Sequence, residues 1–292
     1  MSEISKDRQE ILNKIADYEK RGLFDVDVEN DPPTIPLKLG EVDFLNKNLR
    51  SKINTAFAYR AGRLFYEKML KNSQFELAGV IGIENLSMLQ GGALITCNHF
   101  SIYDNYAIQI ALKTGAKQLN NKKLKKAKLY KIIREGNYNL PGKIGFFVRH
   151  AHTLPLSQNP KVMVECMNAV QTLFNKNHFV LIYPEQSMWW NYRKPKPLKV
   201  GAFKFAAKAN KPVLPMFITM QDTNKLDSNN YPVQAYTVNI LPPIYPKPEL
   251  STNENAEHMK NENHKLWVET YEKVYNKKLE FTTEKQPSEL IK

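Results

Sequence analysis

Cys97 and Cys166 are the only cysteines in the 292 residues, too few for a disulfide framework. Long apolar runs are missing as well: stretches such as residues 179–183 and 213–220 fall far short of the roughly 18 to 20 residues that span a bilayer. The charged opening MSEISKDRQE lacks the pattern of a signal peptide, so a cytoplasmic chain with reduced thiols is expected. There is no Gly-x-Ser-x-Gly elbow, which argues against a serine hydrolase, and no internal repeat or low-complexity tract. Acid is scarce: 29 Asp and Glu stand against 42 Lys and Arg, a net charge of +13. With 42% apolar residues the composition is globular, with ample material for a core, and excludes disorder.

The charge is unevenly placed. Residues 1–50 hold 8 basic and 11 acidic side chains, net −3, which leaves +16 for the remainder. Nine Lys or Arg and no acid fall between positions 113 and 134, and seven with no acid between 193 and 211. Each run reads either as a solvated face or, the two together, as a surface for an anionic partner such as a phospholipid membrane. Nucleic acid is not expected, because no recognition motif is present and the aromatics are not interleaved with the basic runs.

Ile4, Ile11, Ile15 and Tyr18 recur at helical spacing and predict an N-terminal helix ending near Gly22, with Asp31, Pro32, Pro33 and Pro36 as breakers. A second helix is predicted over residues 43–70, with Leu45, Leu49, Ile53, Phe57, Ala61, Leu64 and Phe65 on one stripe, either packed on the core or lying at a membrane interface. From Phe75 on, strand-like runs (94–97, 153–156, 179–183, 213–219) alternate with helical stretches (after Ser101, 124–134, 160–175, 201–209). That alternation predicts an α/β fold, a mostly parallel sheet flanked by helices and preceded by a helical region. Three segments are expected: residues 1–74, residues 75–248 as the catalytic unit, and a polar tail over 249–292 forming a surface helix with a frayed end.

The sharpest local signal is Asn98-His99-Phe100-Ser101-Ile102-Tyr103-Asp104, directly after the first apolar strand. On one continuous helix five residues turn through about 500°, which separates the two side chains. A working His99–Asp104 pair therefore needs His99 in the strand-to-helix loop and Asp104 in the first helical turn, with Ser101 as the cap. Asp104 can then hold one ring nitrogen of His99 and leave the other free to take a proton. The bland alternative is a plain helix cap beside an incidental histidine. Cys97 falls in a buried-strand run and acts as a small hydrophobe rather than a nucleophile. His150 and His152 would share one side of a strand, but no third ligand stands at a recognisable spacing, so no metal is expected.

Further blocks follow in order: Pro184-Glu185-Gln186-Ser187, then a basic aromatic loop, then Pro197-Leu198-Lys199-Val200-Gly201, then Lys211-Pro212-Val213-Leu214-Pro215. Together with the His99 block and a lead-in over residues 79–86, they resemble the glycerophospholipid acyltransferases, the lysophosphatidate acyltransferases and their relatives. The resemblance implies an O-acyltransferase in which His99 is the general base for an acceptor hydroxyl and Asp104 orients it. It implies no cofactor, with acyl-CoA or an acyl-carrier protein as co-substrate, a lysolipid acceptor, and action on the cytoplasmic face of an anionic membrane.

Departures from the family pattern bear on the acceptor. Met188 stands where many members have the arginine of Glu-Gly-Thr-Arg, and a second phosphate-binding arginine aligns with Ser157, while the block containing Arg149 lies some eight residues too early. Either Arg149 has shifted into the role, or Arg193, Lys194, Lys196 and Lys199 replace its charge, or the acceptor is a glycolipid or other hydroxyl compound. Glu185, Gln186, Ser187, Arg149, Ser157, Lys199 and Gly201 are thus the expected substrate-binding positions. Trp189 and Trp190 line a pocket, sit at the lipid interface, or pack in the core. A non-catalytic lipid-binding protein is the remaining alternative.

Overall fold

The computed structural model describes residues 4–29, 34–72 and 74–284. Helices α1 (Lys6–Lys20) and α2 (Leu49–Lys71) lead into strand β1 (Glu76–Ile81), a 3-10 turn (Ile83–Met88) and β2 (Leu94–Thr96). There follow α3 (Asp104–Gln118), α4 (Lys122–Lys126), β3 (Leu129–Arg134), α5 (Glu135–Tyr138), α6 (Gly142–His150), β4 (Thr153–Leu156), α7 (Pro160–Asn175) and β5 (Phe179–Ile182). The chain closes with α8 (Lys204–Ala209), β6 (Val213–Leu226), β7 (Pro232–Ile240) and α9 (Thr252–Tyr275).

The strands form one seven-stranded sheet in the order β1-β7-β6-β2-β5-β3-β4. All neighbouring pairs are parallel except β6 with β7. The fold is therefore the α/β architecture that the alternation predicts. The central strands β2 and β5 are buried at every position, which is why they read as continuous apolar runs. One face packs Val162, Val170 and Phe174 of α7 with Phe205 of α8. The other packs Ala107, Ile108 and Ala111 of α3. Gly82 enters the first turn at φ +79°, where an added Cβ would stand 2.0 Å from the Ile240 carbonyl oxygen, so only glycine fits this join to β7.

Several expectations are corrected. Residues 124–134 are not one helix: α4 stops at Lys126, and Leu129, Tyr130 and Ile132 are drawn into β3 by pairing with both β4 and β5. Strands β1 and β7, absent from the sequence reading, extend the sheet on its antiparallel side. Helix α2 begins at Leu49 rather than 43, because the Asp43 carboxylate accepts hydrogen bonds from the backbone N–H groups of Lys47 and Asn48 and closes a turn there. Its apolar stripe does not pack on the core: Leu49 is 73% exposed, and Ile53, Phe57, Leu64 and Phe65 are exposed as well. The tail forms the expected helix, but not at the surface, and residues 285–292 lie outside the described residues. Through α9 it buries Trp267 and Tyr271 against Phe217 of β6, and the Asn263 carboxamide accepts a hydrogen bond from the Thr96 hydroxyl at 2.5 Å. Asp31, Pro32 and Pro33 lie outside the described residues.

Candidate active site

His99 and Asp104 stand as the spacing requires, His99 in the loop after β2 and Asp104 at the first position of α3. The loop is set by Asn98, whose carboxamide donates to the Ile218 carbonyl at 3.0 Å and accepts from the Ile218 N–H at 2.8 Å, in effect extending β2 along β6 by one side chain. Ser101 departs from the expected cap: its hydroxyl accepts from the Tyr103 N–H at 3.2 Å, while its own N–H donates to the Asp104 carboxylate at 3.3 Å.

Asp104 is fully buried, and His99 Nδ1 lies 2.7 Å from its Oδ2, the same oxygen that accepts from the Phe100 and Ser101 N–H groups. The other oxygen accepts from the Tyr183 hydroxyl at 2.5 Å. With Nδ1–H donating to a carboxylate, the ring carries its lone pair on Nε2, in a side chain that remains 25% exposed. The Tyr183 ring stacks on the His99 imidazole with centroids 3.9 Å apart and planes 13° from parallel. Tyr183, Asn98 and Arg134 escaped the sequence reading. The position of Tyr183, last before Pro184-Glu185, was the available signal.

The blocks after β5 are tied to this loop through backbone and carboxylate. Glu185 accepts from the His99 N–H at 3.1 Å and from the Lys196 N–H at 2.9 Å, and the Lys196 ammonium lies 3.5 Å away and also donates to the Ser187 hydroxyl at 2.7 Å. Burial raises the Glu185 carboxyl and lowers the Lys196 amine, and their mutual attraction opposes both shifts. Glu185 is thus a buried loop anchor, not a group open to an acceptor hydroxyl. Gln186 adopts φ +66°, a left-handed conformation that glycine takes up without a Cβ penalty. The Trp189 N–H reaches the His99 carbonyl at 3.2 Å, while its indole is buried and donates to the Val26 carbonyl at 2.8 Å, which assigns Trp189 to the core.

The segment around Phe24–Val28 lies across the same loop. The Phe24 carbonyl accepts from the Ser187 hydroxyl, Asp25 pairs with Lys199 at 2.7 Å, and Asp27 accepts from the Met188 N–H and pairs with Arg134, which also donates to the Gln186 carbonyl. Lys194 pairs with the buried Glu19 at 2.6 Å, and Arg193 with Asp222 at 2.6 Å. Burial raises the Glu19 carboxyl, but hydrogen bonds from Lys194, Tyr192 and Thr282 outweigh it and hold the group below the usual range. Glu19 and Asp25 of the acidic N-terminal quarter thus neutralise two cations of the 193–211 run, Lys194 and Lys199.

Ser157 follows β4, buried, with its hydroxyl donating to the Glu135 carboxylate, which also accepts from the Leu37 N–H. Arg149, near the end of α6, donates to the Tyr138 and Leu140 carbonyls at 3.0 and 2.8 Å. Gly201 sits exposed in a 3-10 turn with open space where a Cβ would stand. His150 and His152 do not share a strand, since one ends α6 and the other precedes β4 at φ +54°. Cys97 is buried, and burial pushes its thiol well above its ordinary value, consistent with a packing role.

Residues 78–219 match the model of the Acyltransferase family. A curated chloroplastic 1-acyl-sn-glycerol-3-phosphate acyltransferase from Brassica napus is 28% identical over 153 residues, which cover 52% of this chain and 39% of that relative. The crystal structure of a 1-acyl-sn-glycerophosphate acyltransferase from Thermotoga maritima superposes with a TM-score of 0.46 at 18% identity, over 81% of this chain and 87% of that one. The matched span, just under half of the chain, contains His99, Asp104, Tyr183, Glu185, Ser187 and Lys196, the side chains joined above by hydrogen bonds, and over that span the chain is similar to acyltransferases.

Proposed function

We propose that the chain is an O-acyltransferase in which His99 takes the proton of an acceptor hydroxyl as that oxygen attacks an acyl thioester carbonyl. The C–S bond then breaks and the proton passes to the departing thiolate, so no acyl-enzyme forms. The observation that carries the reading is the 2.7 Å His99–Asp104 contact on a buried carboxylate held by three further donors. Asp104 fixes the tautomer and stabilises the imidazolium, and a base so placed is worth roughly 10² to 10⁴ in rate. Acyl-CoA or an acyl-carrier protein would supply the thioester.

The acceptor is a lysolipid hydroxyl. Lysophosphatidate is the acceptor that the relatives' names suggest, but one observation favours an acceptor without a terminal phosphate: Arg134, Arg193, Lys194, Lys196 and Lys199 are each paired with a carboxylate of the chain itself. A phosphate would have to displace those carboxylates. Both substrates being amphiphilic, the protein works as a peripheral protein at an anionic bilayer on its cytoplasmic side. The exposed stripe of α2, flanked by Arg50, Lys52, Arg60, Arg63, Lys68 and Lys71, has the pattern of an interfacial helix, and the exposed lysines of α4 add attraction. No helix among the described residues is long and apolar enough to cross a membrane.

The test is purified protein incubated with labelled acyl thioesters and a panel of lysophosphatidate, head-grouped lysolipids and monoacylated glycolipids, with the product identified by mass. Acylation of none of them would end the proposal. Replacing Leu49, Ile53 and Phe57 by Ser should reduce co-sedimentation with anionic vesicles, and unchanged co-sedimentation would remove α2 from the membrane contact.

A further inference from the structure

At the opposite edge of the sheet from His99, where β3, β4 and β5 begin, a cleft of about 420 Å³ lies between the strand starts and α2. That volume is in the range of small-molecule sites. Three ammonium groups line it, from Lys52 on α2, Lys128 before β3 and Lys176 after α7, and no carboxylate does. None of the three forms a salt bridge among the described residues, in contrast to the cations beside the His99 loop. Lys131 adds a fourth positive charge behind the wall, its ammonium 5.4 Å from the centroid of the lining Tyr59.

Two of the lining side chains are buried polar groups without partners. Thr55 is 7% exposed and His152 8% exposed, and neither the Thr55 hydroxyl nor His152 Nδ1 has a hydrogen-bond partner among the described residues. Leaving such groups unsatisfied is costly, and these two share one wall of the cleft. One imidazole donor is fixed by geometry: the Lys128 N–H donates to His178 Nδ1 at 3.2 Å, so that ring carries its proton on Nε2. The Thr172, Leu173 and Phe174 carbonyls near the end of α7 already accept from the Lys176, Asn177 and His178 N–H groups. His152 is held in place between Tyr59 and Tyr130, with ring centroids 4.5 and 4.6 Å away.

The geometry points to a second binding site in this cleft, for a small phosphate-bearing ligand, with its phosphoryl group among the lysines, Thr55 and the two imidazoles and its remainder against Tyr59, Tyr130 and Leu45. Unpaired ammonium groups, neutral N–H and O–H donors and the lack of any carboxylate are what a phosphate monoester or diphosphate requires. Lys128 and Lys176 stand exposed, so the charge is accessible to a dissolved ligand. The inference is independent of the acyl-transfer reading, since no residue of the cleft belongs to the His99 loop.

The experiment is calorimetric titration of the full chain with inorganic pyrophosphate and with glycerol 3-phosphate, alongside sedimentation with phosphatidate and with phosphatidylcholine vesicles. Saturable one-to-one binding is expected, weakened at least tenfold in Lys128→Gln/Lys176→Gln and in Thr55→Val. It should be unchanged within twofold in Lys247→Gln/Lys277→Gln, which loses equal charge on exposed side chains away from both the cleft and α4. Binding of the soluble probes assigns the cleft to a dissolved phosphate compound. Binding of phosphatidate vesicles alone, with the same dependence on Thr55, assigns it to a lipid headgroup. Equal weakening in the two double variants, or no binding of any probe by the wild type, overturns the site. If Thr55→Val fails to fold, the two lysine variants, whose side chains are exposed, still decide.

Discussion

The two edges of the parallel strands treat positive charge in opposite ways. At the carboxyl edge, around His99, Arg134, Lys194, Lys196 and Lys199 are bound by Asp27, Glu19, Glu185 and Asp25, three of these carboxylates coming from the N-terminal quarter of the chain. At the amino edge Lys52, Lys128 and Lys176 face a cleft with no carboxylate, beside two buried polar atoms with nothing to bond. The first arrangement builds a locally neutral frame around the His99–Asp104 pair. The second leaves charge and donors uncommitted, as an anion site does. A net charge of +13 is therefore a poor guide to where an anion binds, because it averages a neutralised edge with an open one.

The comparison predicts that chemistry is confined to the carboxyl edge. His99→Ala should lower turnover about 10³-fold, and Asp104→Asn about 10²-fold, with far-ultraviolet circular dichroism and vesicle binding unchanged. Thr55→Val, at the other edge, should leave turnover within threefold of wild type. Steady-state rates on the best acceptor of the panel check this, and turnover persisting in His99→Ala removes the general base.

A second effect belongs to the amino edge. Burial, and then the charges of Lys131, Lys128 and His178, hold His152 down at about 3, against about 6.5 for an unperturbed histidine. Between those values the unfolded chain takes up a proton that the folded chain does not. Stability from this residue is therefore complete above about pH 6.5 and is lost as the pH falls toward 3, by up to about 4 kcal/mol. Urea unfolding of wild type and His152→Phe at pH 7 and pH 4.5 measures the difference: the variant should lose less on acidification. Equal losses would show that His152 is not the group responsible.

How much of this was legible in the sequence depends on the range of the contact. His99 and Asp104 are five residues apart and follow an apolar strand, so local geometry alone placed one in a loop and the other on a helix. Strand β5, apolar throughout and bounded by polar turns, was equally plain. Tyr183 meets Asp104 across 79 residues, Arg134 meets Asp27 across 107, and Asn98 meets Ile218 across 120, and no periodicity encodes such pairings. Strand β3 was read as helix because its lysines continue the spacing of α4, and pairing with two neighbouring strands overrode that local signal. The stripe on α2 was visible as a stripe. Which way it faces was not, since an amphipathic pattern marks a boundary between two environments without saying which one is the protein.

Smaller in effect is the neutralisation itself. Asp27→Asn keeps an acceptor for the Met188 N–H and removes the counter-charge of Arg134. With one counter-charge of the guanidinium removed, a phosphate should compete for it better, lowering KM for lysophosphatidate several-fold while KM for an uncharged acceptor stays the same. Equal changes on both acceptors would show that Arg134 does not meet the acceptor, and the contrast between the two edges would then be structural only.

The smallest expected effect tests Tyr183 as a positioning residue. Tyr183→Phe keeps the ring stacked on His99 and deletes the hydroxyl that donates to Asp104 at 2.5 Å. Asp104 Oδ2 still accepts from the imidazole and from two backbone N–H groups, so the ring orientation should survive and kcat should fall only about three- to tenfold, with KM unchanged. The carboxylate, having lost a donor, keeps more of its charge toward the ring and favours the imidazolium, so the acid limb of the kcat/KM profile should move to higher pH. Loss of packing alone would lower the rate at every pH without displacing that limb. A Tyr183→Leu variant, which loses the stacked ring as well as the hydroxyl, separates the two contributions: it should show the same displacement with a larger fall in kcat. An unmoved limb in both variants would mean that the hydroxyl holds Asp104 in place without tuning the base it carries.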